Sequence, residues 1–251
     1  MPNLVSSIRD RYQRTLDTIA ASARKAGREP ESVRLVVVTK TQPMEVVEAA
    51  LEAGAKILGE NYPEEAVEKI MQLKSLSAAG TPHFGVEWHI IGHVQSRKAH
   101  LVAEHFALFQ TLDSVKLAER VDRFAAEFKR VLPVLLEFKV GDEASKSGWP
   151  ASDESRWKDL LNDVQAIAAF AHLKVLGLMT MPPLSTDPQA ARPYFQRLRR
   201  LRDFLSKHVP QAQWSELSMG TSADYAVAVE EGATLVRVGQ AILGPRPAHG
   251  D

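Results

Sequence analysis

The feature that most constrains the fold is a regular alternation of short apolar runs with amphipathic stretches along nearly the whole chain. Eight runs rich in aliphatic and β-branched residues are typical of buried strands. They cover residues 35–39, 56–59, 88–92, 108–111, 134–138, 175–179, 215–218 and 235–238. Strands that alternate with helices form right-handed crossover units, so the pattern predicts an α/β protein with a parallel sheet.

Helical spacing of apolar residues fills most of the intervals between these runs. It is clearest at residues 44–53, 64–76, 114–129, 155–171, 189–208 and 222–230, and residues 2–27 form a further amphipathic helix that ends at Gly27. Eight strand–helix repeats in 251 residues match a (β/α)8 TIM barrel, which typically needs about 250 residues. A doubly wound open sheet more often has fewer strands. We therefore predict a TIM barrel with an additional N-terminal helix.

The chain shows no internal linker rich in Gly, Ser or Pro, and only 13 residues follow the last predicted strand. We expect a single barrel domain over residues 1–251. A polar segment at residues 141–148 follows the fifth strand, on the face where barrels keep their active sites. Its length and position predict a lid.

Composition excludes several classes of function. Lys and Arg together number 31, as do Asp and Glu, so no net charge attracts the chain to nucleic acid or to an anionic membrane. The absence of cysteine excludes disulfides, thiolate metal sites and cysteine nucleophiles. No signal-peptide core and no apolar run of the ~20 residues that span a bilayer are present. We expect a cytoplasmic protein that handles a small molecule.

Lys40 ends the first predicted strand, just before the turn signal Gln42-Pro43. In a TIM barrel the ligand-binding groups gather at the C-terminal ends of the strands. A low-dielectric wall disfavours the ammonium form of an amine, which makes the amine nucleophilic and able to form a Schiff base. Taken alone, Lys40 also fits a side chain that simply extends to solvent.

The ends of the seventh and eighth strands carry the pattern of an anion site. Residues 218–222, with the sequence Ser-Met-Gly-Thr-Ser, lead from a strand into a helix and offer hydroxyl and backbone N–H groups. Gly239 permits a close backbone approach from the other side, and barrels often bind phosphate between these two loops. The alternative is an ordinary N-cap at Ser218, Thr221 or Ser222.

Arg237 alternates with Val236 and Val238 and so lies on the opposite face of the last strand. An arginine inside the barrel mouth needs an acceptor, which a heterocycle nitrogen or a phosphate would supply. A salt bridge to Glu216 or Glu60 is the structural alternative. His89 and His93 end the third strand, but they lack the further ligands that a metal site requires.

Read together, the strand ends closely resemble the pyridoxal phosphate homeostasis protein family, single-domain barrels related to the N-terminal domain of alanine racemases. Six ordered segments carry the resemblance, at residues 37–40 (VVTK), 59–62 (GENY), 88–98 (WHIIGHVQSRK), 177–183 (GLMTMPP), 217–222 (LSMGTS) and 236–239 (VRVG). They spread over nearly the whole chain.

The resemblance implies a role for each predicted site residue. Lys40 would carry pyridoxal 5'-phosphate (PLP) as a Schiff base, while Ser218, Thr221 and the loop at Gly239 would hold the phosphate. Arg237 would face the pyridine nitrogen, and Asn61 would lie beside the ring. Two positions depart from the family. His93 stands where variation is tolerated, and Gln240 replaces a small hydroxyl residue, which puts one phosphate hydrogen bond in doubt.

We therefore predict a monomeric PLP-binding protein that stores, buffers and delivers the cofactor, possible recipients being PLP-dependent apoenzymes. An arginine at the pyridine nitrogen keeps that nitrogen neutral and weakens carbanion chemistry, which disfavours robust catalysis. Two enzyme alternatives stay open. One is residual amino-acid racemase activity that uses Lys40 and Tyr62, and the other is a Schiff-base aldolase acting on a sugar phosphate.

Overall fold

The computed structural model describes residues 2–78, 85–141 and 147–245. Its strands are β1 Arg34–Val38, β2 Ile57–Glu60, β3 Glu87–Ile90, β4 Leu108–Leu112, β5 Leu132–Lys139, β6 Trp149–Pro150, β7 Leu173–Met179, β8 Glu216–Ser218 and β9 Leu235–Val238. Its α-helices are α1 Pro2–Lys25, α2 Met44–Glu52, α3 Pro63–Ala78, α4 Ala99–His105, α5 Val115–Glu127, α6 Leu161–Ala168, α7 Arg192–His208, α8 Tyr225–Glu230 and α9 Gln240–Leu243.

Eight parallel strands close into a barrel. Their order is β1, β2, β3, β4, β5, β7, β8 and β9, and β9 pairs back onto β1. The two-residue strand β6 pairs with the end of β5 and stands outside the ring. The predicted TIM barrel with an N-terminal helix is confirmed, and each of the eight predicted runs overlaps one barrel strand.

The boundaries of several helices differ from the prediction. The stretches 155–171 and 189–208 begin as 3-10 turns, Glu154–Leu160 and Pro188–Ala191, because the side chains of Asp153 and Asp187 cap these turns. The stretch 222–230 becomes helical only at Tyr225. The helix α9 and the strand β6 were not predicted, since such short elements contain too few periods of the apolar pattern to reveal them.

Two layers of apolar side chains hold the barrel together. The larger core fills the space between the strands and the surrounding helices, and α1 contributes to it through Ile8, Ile19 and Ala23 as it packs against α2, α8 and α9. A smaller cluster lies inside the ring and contains Val36, Ile57, Leu108, Leu135, Met179 and Leu235. The helices within the described ranges include none that has both the length and the apolar character to cross a bilayer.

The inside of the barrel is only partly apolar. Side chains alternate along each strand, so residues two positions from a member of the inner cluster also face inward. These positions hold Gln110, Glu137 and Arg237, and the hydrogen-bond partners of Gln110, His89 and Ser218, also lie in the interior; all five residues are buried. TIM barrels usually fill this space with branched aliphatic residues. Polar side chains buried there require hydrogen-bond partners.

Candidate functional site

Lys40 follows β1 at the C-terminal mouth of the barrel and is half-buried. Thr39 precedes it and turns its hydroxyl outward, where it donates to the carboxylate of Glu60 at 2.7 Å. The strand β1 ends at Val38, so Lys40 belongs to the turn that follows it at the C-terminal end of the barrel. Lys40, the residue predicted to form a Schiff base, therefore lies at the mouth, just after the first strand.

A buried ionic cluster behind β1 fixes the backbone on both sides of Lys40. Lys69 of α3 donates to Glu60 at 2.8 Å, to Glu65 at 2.6 Å and to the carbonyl oxygen of Thr39 at 2.9 Å. The backbone N–H of Thr41 donates to the same oxygen of Glu65 at 2.8 Å. Thr41 has a φ of 59°, an unusual angle for a β-branched residue, so this bond stabilises a strained turn. We call Glu60, Glu65 and Lys69 the β1 clamp.

Asn61 follows β2, next to Lys40 around the ring. A Cβ atom at Gly92 would come within 2.5 Å of the Asn61 carbonyl oxygen, so only glycine at position 92 lets the ends of β2 and β3 approach this closely. Thr111 supports the same place by donating to the Gly92 carbonyl oxygen at 2.7 Å. Tyr62, the residue of the racemase alternative, keeps 53% of its surface exposed.

The two loops predicted to hold the phosphate, at residues 218–222 and at Gly239 and Gln240, adjoin each other, and we call them the predicted cradle. Gly220 has a φ of 92°, and a Cβ atom there would lie 2.5 Å from that of Ala228, so glycine is required. The Ser222 hydroxyl accepts from the backbone N–H of Gly239 at 3.3 Å, which joins the loop after β8 to the loop after β9. The N–H and hydroxyl groups of Thr221 both donate to one oxygen of Asp224, at 2.6 Å and 3.0 Å.

The other two predicted cradle residues differ in exposure. Ser218 is fully buried, and its hydroxyl faces the barrel interior, where Gln110 and Arg237 contact it. Gln240 is exposed at the start of α9. Gly239 lies tightly against β1, since a Cβ atom there would be 3.2 Å from the Val38 carbonyl oxygen. Glycine at this position thus keeps the loop close to the strand that carries Lys40.

Arg237 is the central cation of the mouth and is only 3% exposed. Its guanidinium donates to the Ser218 hydroxyl at 2.5 Å and to the Thr180 carbonyl oxygen at 2.9 Å, and it contacts the sulfur of Met181 at 2.9 Å. Burial lowers the pKa of Arg237 to about 10, which leaves it charged at neutral pH.

The alternative salt bridges of Arg237 are not formed. Glu216 pairs with Arg34 at 3.1 Å, and Glu60 pairs with Lys69 at 2.8 Å. Within residues 2–78, 85–141 and 147–245, Arg237 has no ion pair with a carboxylate. A buried cation in this situation is suited to an acceptor from a ligand.

Glu137 is a buried carboxyl in the same mouth that the sequence prediction missed. It lies at the end of β5, four strands from β1 in either direction, and so faces Lys40 across the barrel. Its Oε2 atom is buried without a hydrogen-bond partner among the described residues. Burial, reinforced by the charge of Asp113, raises the pKa of Glu137 to about 7. Glu137 lies two positions after Leu135 on the same strand, and this alternation is the signal that it points inward.

The remaining predictions concern histidine and the loop after β5. His89 is buried in the barrel with hydrogen-bond partners, while exposed His93 lies 2.9 Å from Asp113 and 3.1 Å from Ser147 at the rim. No group of three metal-binding side chains occurs in the described part of the chain. Residues 142–146 of the predicted lid lie outside the described residues, so the lid stays a prediction.

Comparison with known proteins assigns this barrel to a family. The family described as the alanine racemase N-terminal domain matches residues 15–247. The pyridoxal phosphate homeostasis protein of Vibrio alginolyticus is 36% identical over 242 residues, covering 96% of this chain and 99% of its own. That of Escherichia coli K12 is 35% identical over 231 residues, covering 92% and 93%.

Solved structures agree with this assignment. PipY of Synechococcus elongatus, solved with PLP bound, is 33% identical with a TM-score of 0.76, covering 90% of this chain and all of its own. An alanine racemase of Streptomyces lavendulae shares the fold at 19% identity and a TM-score of 0.65, and this chain covers 58% of it. Because the similarity extends along nearly the whole chain, this protein belongs to the pyridoxal phosphate homeostasis protein family.

Proposed function

We propose that this protein binds PLP in the barrel mouth, with the aldehyde held as a Schiff base on the amine of Lys40. In this proposal it acts in intracellular PLP homeostasis, by storing, buffering and delivering the cofactor to PLP-dependent apoenzymes. The proposal treats residues 1–251 as one barrel domain that works as a monomer. Family membership and the chemistry of the strand ends support it together.

The observation that carries the proposal is that Arg237 is a buried cation with no carboxylate partner among the described residues. Its guanidinium is buried at the mouth, charged, and held by neutral oxygens and a sulfur without a carboxylate in the described part of the site. A guanidinium has donors only, so a ligand nitrogen with a free lone pair suits it. The pyridine nitrogen of PLP is such an acceptor.

The other residues fit the rest of the cofactor. Bound PLP supplies an aldehyde that an amine can capture and a ring that can withdraw electrons. The β1 clamp fixes the backbone on both sides of Lys40, and Asn61 follows the neighbouring strand β2. The loops joined by Ser222 and Gly239 bring backbone and hydroxyl groups together at the ends of β8 and β9, where barrels commonly hold a phosphate.

The donor-only character of Arg237 supports a carrier without robust turnover. An arginine cannot give up its proton to the ring nitrogen at neutral pH, so the ring stays a weak electron sink. Storage and delivery need only reversible capture of the aldehyde, which Lys40 provides.

A second candidate function, weak amino-acid racemase activity, has one observation in its favour. The pKa of Glu137, about 7, lies in the range of a general acid–base group, and this residue faces Lys40 across the barrel. Exposed Tyr62 offers less support for that chemistry.

Cofactor attachment is tested by replacing the lysine. The purified protein incubated with PLP should show the absorbance of a Schiff base, and borohydride reduction followed by peptide mapping should find the phosphopyridoxyl group on Lys40. Lys40→Ala should lose both. Lys98→Ala is the matched control, because Lys98 is also partly buried near the strand ends and pairs with Glu64. Recovery of the adduct on Lys98 alone would contradict the proposal.

A further inference from the structure

We propose that Gln110 and His89 are positioning residues for Arg237, acting through a line of hydrogen bonds that crosses the inside of the barrel. The line begins at the mouth and ends at Glu87, the first residue of β3, at the opposite end of the barrel. The effect on cofactor retention rests on the proposed function, whereas the arrangement of protons in the line does not.

Each step of the line is a contact between inward-facing side chains. Arg237 Nη1 donates to Ser218 Oγ at 2.5 Å, and Ser218 Oγ donates to Gln110 Oε1 at 2.6 Å. Gln110 Nε2 lies 2.8 Å from His89 Nδ1, and His89 Nε2 lies 3.4 Å from Glu87 Oε2, which is the longest contact. The three middle residues are at most 1% exposed.

The two ends of the line determine the direction of every bond in it. A guanidinium only donates and a carboxylate only accepts. The Ser218 hydroxyl accepts from Arg237, so its own proton is directed to the oxygen of Gln110. The Gln110 amide then presents its NH₂ group to His89 Nδ1, which must carry a lone pair. The proton of the neutral imidazole is therefore on Nε2, where it points to Glu87.

The surroundings of His89 agree with a neutral ring. Burial lowers the pKa of His89, and the charge of Arg34 acts in the same direction, while Glu87 and Glu216 oppose it. A second proton on Nδ1 would face the NH₂ group of Gln110, which puts two donors against each other. The neutral ring with its proton on Nε2 is therefore the form that satisfies both Gln110 and Glu87.

The consequence for the site is an oriented guanidinium. Gln110 accepts the Ser218 proton and so holds the Ser218 lone pair toward Arg237, while Thr180 holds the other nitrogen of the guanidinium. Without Gln110, the serine hydroxyl loses its buried acceptor and is free to rotate. Arg237 would then meet the ligand in several orientations.

The first test needs no cofactor. Nitrogen NMR of the apoprotein at pH 7 should show His89 as the neutral tautomer with the proton on Nε2. Gln110→Glu replaces the NH₂ donor by a carboxylate, so His89 should become doubly protonated at the same pH. A proton on Nδ1 in the natural protein, or an unchanged neutral ring in Gln110→Glu, would overturn the inference.

The second test measures retention of PLP. Gln110→Leu should release PLP about tenfold faster, as expected for the loss of about one hydrogen bond. Leu108→Ala is the control, since Leu108 lies on the same face of β4 and its truncation also destabilises the interior without touching the line. Equal release rates for Gln110→Leu and the natural protein, or equally fast release in both variants, would contradict a positioning role.

The two proposals fail in distinguishable ways. A natural protein that binds no PLP but shows the expected His89 tautomer would contradict the proposed function and leave the line intact. A protein that binds PLP on Lys40 but carries the other tautomer would contradict the line alone.

Discussion

Glu137 and Arg237 are both buried ionisable residues in the barrel mouth, and burial shifts the pKa of each toward neutrality. For Arg237 the shift leaves the charge in place at pH 7, so the residue keeps its role as a donor. For Glu137 the shift brings the titration to about pH 7, so its charge changes within the physiological range. The same physical cause therefore yields one constant and one variable charge in the site.

Glu137 should make the stability of the apoprotein depend on pH. The folded state holds the Glu137 proton up to about pH 7, whereas the unfolded chain releases it near its ordinary value of 4.5. The folded state therefore binds more protons between these values, and this residue lowers stability as pH rises through them. Glu137→Gln should raise the free energy of unfolding by roughly 1–3 kcal/mol at pH 8 and much less at pH 4.5.

Denaturant unfolding at the two pH values measures this effect. Glu127→Gln is the control, because Glu127 is largely exposed at the end of α5 and should change stability little at either pH. A gain for Glu137→Gln that is equal at both pH values would show that titration is not its cause.

Gln240 is one of the two positions at which the resemblance predicts a departure from the family, and its side chain is exposed at the start of α9. We expect Gln240→Thr to slow the loss of PLP, because a short hydroxyl can donate to a phosphate oxygen in the cradle. The gain should not exceed one charge-assisted hydrogen bond, roughly 1.5–3 kcal/mol. Dialysis against a PLP scavenger, followed by absorbance, measures it, with Gln165→Thr on α6 as the control. Equal or faster loss in Gln240→Thr would contradict the expectation.

At the scale of elements, α3 does more than cover β1 and β2. Its Lys69 reaches back to the end of β1 and neutralises Glu60, which is fully buried at the end of β2. Burial raises the pKa of Glu60, so the carboxylate depends on this cation for its charge. The helix thus fixes the segment that carries Lys40 without contributing a residue to the barrel interior.

Removing the cation of the β1 clamp should be strongly destabilising. Lys69→Met leaves Glu60 buried without its partner, which typically costs about 3–5 kcal/mol. The loss should shrink at low pH, because a protonated Glu60 no longer needs a cation. Chemical denaturation at pH 5 and pH 8 tests both statements. Lys74→Met on the same helix is exposed and should change stability by less than about 0.5 kcal/mol.

A second variant separates charge from packing. Adding Glu60→Gln to Lys69→Met removes the unpaired carboxylate and should recover part of the lost stability at pH 8. A double variant no more stable than Lys69→Met would mean that Lys69 acts through its packing rather than its charge.

At the scale of the whole molecule, the closed ring decides which residues share a site. The loops after β8 and β9 form one wall of the mouth, and β5 brings Glu137 to the wall opposite Lys40. The exposed apolar residues Tyr62, Met181 and Leu184 lie on the same rim. The candidate binding residues and an accessible edge therefore occur together at the C-terminal end of the barrel.

This arrangement predicts at most trace turnover of amino acids. With PLP added, alanine, serine and other common amino acids should be racemised or transaminated well below the ordinary enzyme range of ~1–10³ s⁻¹. The reason is that, in the proposed binding mode, Arg237 would face the ring nitrogen and keep it neutral. Turnover within that range for any of these substrates would replace the carrier proposal by the racemase alternative, and its loss in Glu137→Gln would identify the acid–base residue.

The sequence by itself determined the class of fold and the chemistry of the strand ends. Eight apolar runs separated by helical patterns predicted the barrel, because periodicity records which faces are buried. Lys40, the turn at residues 218–222 and Arg237 could be selected as candidate site residues because a barrel collects its ligand groups where the strands end. Periodicity is a local property of the sequence, so it indicated these residues but not the residues on other strands and helices that contact them.

Only the tertiary structure decided how those residues are held and charged. Glu137, Gln110 and Lys69 act through neighbours on other strands and helices, and no local pattern records which strand stands opposite another. The closure of the ring sets that geometry. It also removes water from the interior, which raises the pKa of Glu137 and leaves the buried hydrogen bonds of Gln110 without competing water.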